Sequence, residues 1–109
     1  MTKEQAEAEI ANGSSEEVCS AIVSVALHES DWQWAQERCF EVLAMNNDDV
    51  KRCALVGLGH IVRIHGRINL KKVQGFIEKL KSDERFYGPI DDLLSDINVY
   101  HDRLSDRSS

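Results

Sequence analysis

Apolar residues recur every three to four positions through most of this chain, and no alternating strand pattern separates the runs. The strongest stripe is Val50, Ala54, Leu58 and Ile61, which lie on one side of a helix running to about His65. Asp48 and Asp49 stand where a helix start favours acceptors and negative charge, and Asn46–Asp49 serves as turn and cap together. Gly66 stops the helix. Ala54 and Gly59 are small and let a neighbouring helix approach closely.

The same logic divides the rest of the chain. Residues 2–12 form a first helix with a thin stripe of Ala6 and Ile10, ended by Asn12-Gly13. Ser14 and Glu17 read as a capping box for a second helix to about Leu27, with Val18, Ile22, Val25 and Ala26 inward. Asp31 caps a third helix from Trp32 to about Met45, buried through Ala35, Cys39, Val42 and Leu43. Asn69 caps a fifth, with Leu70, Val73, Phe76, Ile77 and Leu80 inward. Pro89 fits the first position of a sixth, whose face is Ile90, Leu93, Leu94, Ile97 and Tyr100.

The expected fold class is therefore all-α, with about six helices paired as three stacked antiparallel hairpins. Three such units are about the number at which stacked repeats close a continuous core. Residues 1–101 make a single domain, and 102–109 a polar, frayed tail.

Charge adds the main functional clue. The net charge of −6 is uneven: −9 over residues 1–49, +7 over 50–81 and −4 over 82–109. The turns inside the hairpins carry Glu16, Glu17, Asp48, Asp49, Asp83, Glu84, Asp91 and Asp92 on one edge, with Asp96 a turn further on. Part of this rim follows from the preference of acids for helix N-termini. A basic patch of Arg63, Arg67, Lys71 and Lys72 falls on the opposite edge.

Catalytic chemistry finds no support in the residue pattern. His60 and His65 are five apart, about 140° around a helix, and cannot share one ion from one face. His28 and His101 lie on other helices without ligands at metal spacing. Asp92 and Asp96 share a helix face, but no nucleophile–base pair or glycine-rich phosphate loop accompanies them. The expectation is a protein without enzymatic activity, metal or other cofactor. Cys19, Cys39 and Cys53 read as three reduced, mostly buried thiols. The chain opens on no signal-peptide pattern, and its longest near-apolar run, Ala21–Leu27, is too short to span a bilayer, so a cytoplasmic protein is expected. Trp32 and Trp34, two apart, point to different sides, and an exposed Trp is a favoured interface anchor.

The order acidic turn, Val50, Lys51-Arg52, Ala54, Leu58-Gly59 resembles the second helix of a HEAT repeat. With Trp34-Ala35-Gln36-Glu37-Arg38-Cys39 before it and Ile61-Val62-Arg63-Ile64-His65-Gly66 after it, residues 32–100 look like a compact bacterial HEAT-like family of small stand-alone proteins. At this size and charge the chain also resembles small acidic immunity proteins of polymorphic toxin and contact-dependent growth inhibition systems. The resemblance implies a HEAT-like α-solenoid that binds a toxin stoichiometrically. The expected partner is a basic nuclease domain, its active site or substrate cleft occluded. In that reading Asp48, Asp49, Asp91, Asp92 and Asp96 make the charged contacts and Trp32 is an anchor. The alternatives are nucleic-acid binding through the basic segment 50–81, which the acidic flanks oppose, and a generic adaptor or scaffold.

Overall fold

The computed structural model describes residues 2–101, which form helices joined by short turns and contain no strand. The order is α1 (Lys3–Asn12), α2 (Ser15–His28), α3 (Trp32–Leu43), α4 (Asp48–His65), α5 (Leu70–Leu80) and α6 (Tyr87–Asp96). A 3-10 turn at Glu84–Phe86 leads into α6, and a wider π turn at Ile97–His101 follows it. The all-α expectation with six helices holds. The tail expected over 102–109 lies outside the described residues.

Local chemistry sets most of the boundaries. Thr2 and Ser14 each accept the N–H three residues on, while Gln5 and Glu17 reach back to the cap N–H, so α1 and α2 both begin in capping boxes. The Asn47 side-chain oxygen accepts the Asp49 and Val50 N–H groups, which makes Asn47 the cap of α4. Gly66 ends α4 at φ 68°, a left-handed conformation open to glycine. Asn69 caps α5 by accepting the Lys72 N–H.

Three expectations are corrected. Helix α3 stops at Leu43, two residues early, as the Ala44 and Met45 N–H groups turn back to Glu41 and Val42 carbonyls. Helix α6 begins at Tyr87, so Pro89 occupies its third position; the first-turn donors have no helical partner, and no bond is lost. Leu94 faces outward at 44% exposure, because Ile90 and Leu93 already fill the buried arc and Leu94 lies about 100° from its neighbour.

Helix α4 is the centre, packed against α2, α3 and α6. Its buried face, including Val50, Ala54, Leu58 and Ile61, is at most 2% exposed. Gly57 lies where an added Cβ would meet Cys39 Sγ at 3.2 Å and the Ala26 Cβ at 3.5 Å, so α2 and α3 both approach α4 closely there.

Long-range side-chain contacts share a common register. Ser15 pairs with Asn47, Asp48 with Arg85, Lys3 with Asp31, Glu7 with Arg38 and Glu37 with Lys72, at separations of 32, 37, 28, 31 and 35 residues. Each helix thus meets its counterpart one helical pair later. Helices α2, α4 and α6 form one parallel row, with starts joined by Ser15–Asn47 and Asp48–Arg85. Helices α1, α3 and α5 form the second row, bridged by Glu7–Arg38 and by the Phe40 and Phe76 rings stacked at 5.6 Å. The shortest dimension is 17 Å, the thickness of two packed helices.

The register also corrects the cysteine expectation. Cys19 and Cys53 form a disulfide across 34 residues, their Cα atoms 5.4 Å apart, because parallel α2 and α4 set equivalent positions side by side. Cys39 stays free and buried, and desolvation pushes its thiol pKa up to about 12.

Candidate interaction surface

The starts of α2, α4 and α6 form the acidic edge that the charge pattern anticipates. The Asn47 Nδ2 donates to Ser15 Oγ at 2.7 Å, joining the first two starts. Arg85 then pairs with Asp48 and also grips Asp83 through Nε at 3.0 Å, which joins the third. Hydrogen bonding to Arg85 holds the Asp83 carboxyl down at about 2. Glu16, Asp49, Asp91 and Asp92 are exposed and have no ion pair among the described residues.

The candidate contact residues do not form one site. Asp49, Asp91 and Asp92 are open to a partner. Asp48 lies on the same edge, engaged by Arg85. Asp96 lies at the far end of α6, where its carboxylate fills the space above Gly59 and Oδ2 stands 3.5 Å from Arg63 Nε. The small residue that lets α6 approach is thus Gly59, and Asp96 is what approaches it. Trp32 opens α3 on the opposite edge, half-buried against the core and away from the acids. Trp34 joins α1 to α3: its Nε1 donates to Glu7 Oε1 at 3.2 Å, and Lys3 and Arg38 stand 5.2 and 5.1 Å from its ring centre.

Acids engage part of the basic segment 50–81. Arg63 is engaged by Asp96, Lys72 by Glu37 and Lys81 by Glu78. Phe76, which could have served as a stacking platform, packs on Phe40. An Arg63 terminal nitrogen lies 2.9 Å from His60 Nδ1; a guanidinium only donates, so that imidazole nitrogen accepts. Partial burial lowers the His60 pKa, Arg63 adds to the shift, and Asp96 opposes it.

One feature of the surface lies outside the acidic pattern. Among the described residues the large exposed hydrophobics are Leu27, Val56, Ile64, Tyr87, Leu94 and Val99, all on the row α2, α4, α6 and its π turn. Val56 and Ile64 sit two turns apart off the core stripe of α4, a spacing visible in the sequence once the stripe is drawn. Among the described residues no group of three or more His, Cys, Asp or Glu side chains is arranged to hold a metal ion, and no helix is long and apolar enough to cross a membrane.

No protein-family model matches the chain, and no curated protein sequence matches it. In structure, it is similar to a chain in the crystal structure of a CDI complex from Cupriavidus taiwanensis LMG 19424. The TM-score is 0.79 at 24% sequence identity, over 92% of this chain and 90% of that chain. At that identity the likeness is one of fold.

Proposed function

We propose that this protein is a stoichiometric, non-catalytic immunity protein of a contact-dependent growth inhibition type of system, which neutralises a toxin domain by binding it. The observation that carries the reading is the fold shared over 92% of the chain with a member of a CDI complex. The acidic edge supports a basic toxin, as of a nuclease, through charge complementarity that steers association and selects the partner. The recurrent contact register supports a HEAT-like repeat architecture, whose extended faces suit protein recognition. In this reading the protein acts in the cytoplasm, and Asp49, Asp91 and Asp92 are the charged contacts, with Asp48 held ready beside them by Arg85. The engagement of Arg63, Lys72 and Lys81 by acids speaks against a phosphate-binding surface.

The test is to recover the tagged protein from its native host at low and moderate salt, and to express any stoichiometric partner alone in a neutral host. The expected partner is basic, arrests growth on its own and is silenced by co-expression of this chain. A partner that is harmless alone, or whose toxicity persists on co-expression, overturns the reading. Nucleic acid that co-purifies and is lost as salt rises transfers the function to the basic segment.

A further inference from the structure

We propose that the outward seam between α2 and α4 anchors the interface, accepting an apolar side chain of a basic partner domain whose cations face Glu16 and Asp49. This rests on the immunity reading and assigns the surface that performs it.

The seam is defined by contacts already described. The Cys19–Cys53 disulfide ties its beginning, and Gly57 against Ala26 fixes its middle, so α2 and α4 run side by side in a register of about one repeat. In that register Val23 and Leu27 of α2 run beside Val56 and His60 of α4, and Ile64 follows on the same side of α4 just beyond the end of α2. Leu27, Val56 and Ile64 are 41%, 45% and 51% exposed. On the α2 side, a shallow groove is lined by Cys19, Ser20, Val23, Ser24, Leu27 and His28.

Single exposed apolar residues are normal on a protein surface. Among the described residues, however, the large ones all fall on the α2–α4–α6 row and its π turn, and none on α1, α3 or α5. An apolar strip bordered by charge is the composition of an interface core with its polar rim.

Charge selects the occupant. Where the seam begins, Glu16 and Asp49 are exposed and unpaired among the described residues. Where it ends, Arg63 is already turned toward Asp96 and His60. Arg52 is the exposed base between them. The uncommitted field where the seam begins is therefore negative, on a chain of net charge −6. A second copy would bring like charge to like, whereas a basic domain meets both the strip and its acids.

The experiment uses the growth-arresting partner recovered as above, with Val56→Glu combined with Ile64→Glu, and Leu27→Ser as an independent change across the seam. Both altered sites are exposed, so melting temperature and helicity should match wild type. Affinity should fall on the order of thirtyfold or more, the loss of roughly 2 kcal/mol expected of a truncated anchor, and growth protection should fail. Glu16→Lys with Asp49→Lys should slow association and flatten its salt dependence. Unchanged affinity in all these variants, with the wild type still neutralising the partner, overturns the seam and leaves the immunity reading intact. A wild type that neutralises no growth-arresting partner overturns both. A wild-type dimer in light scattering that Val56→Glu converts to monomer assigns the seam to a second copy and overturns the proposal.

Discussion

The side-chain carbonyl of Gln36 accepts the backbone N–H of Asn69 at 2.9 Å, and Gln36 is the buried polar residue of the core, 5% exposed. Asn69 is the cap of α5, so a buried amide on α3 fixes where α5 begins. Gln36→Leu keeps the volume but orphans that donor. The expected loss is about 1–3 kcal/mol in urea unfolding, with the slope unchanged. A variant as stable as wild type would show that the N–H finds another partner.

The disulfide closes a loop of 34 residues between α2 and α4. Constraining the unfolded chain in this way contributes about 2–4 kcal/mol. Reduction should therefore lower the wild-type melting temperature, and Cys19→Ser with Cys53→Ser should melt at the reduced value with or without reductant. Cys39, buried with its pKa raised, should resist alkylation in the native state.

His60 should give stability a slope in mildly acidic solution. Its folded pKa lies below the ordinary 6.5, through burial and Arg63, with Asp96 acting the other way. The unfolded chain then binds the proton more readily, so this contribution is complete above about pH 6.5 and declines as pH falls below it. His60→Gln, which keeps an acceptor for Arg63, should flatten the unfolding free energy between pH 7 and 5. An identical pH profile for variant and wild type would remove His60 as the cause.

Asp91 and Asp92 are exposed on α6 and make no ion pair among the described residues. Reversing both to Lys should leave the melting temperature within a few degrees of wild type, since isolated surface charges contribute little to stability. Association with a basic partner should slow, most clearly at low salt. If calorimetry at low salt returns the wild-type affinity, the acidic edge is not part of the contact.

The core stripes were legible because burial in a helix has a period, and Val50, Ala54, Leu58 and Ile61 follow it. The caps at Ser14, Asp31, Asn69 and Gly66 were legible because the chemistry is local. Relationships between helices were harder to read. Nothing local in Cys19 or Cys53 announces a bond across 34 residues; it follows from the parallel register of α2 and α4. Asp96 reads as a free acid until Gly59 and Arg63 are placed beneath it. Trp32 and the acids at the starts of α4 and α6 look like parts of one surface in sequence, and the fold separates them to opposite edges. Val56 and Ile64 carried a usable signal: two large apolar residues off the core stripe require an account.

The one-repeat register described above bears on how the chain reaches its native state. Its bridging side-chain contacts span about a third of the chain, with a longest separation of 37 residues, and none requires the first helix to find the last. Confining the search to the neighbouring repeat, rather than to the whole chain, limits the loop-closure entropy, and the helices themselves form from local contacts. Each helical pair can dock on the one before it as synthesis proceeds, with α4 acquiring its partners α2 and α3 before α6 exists.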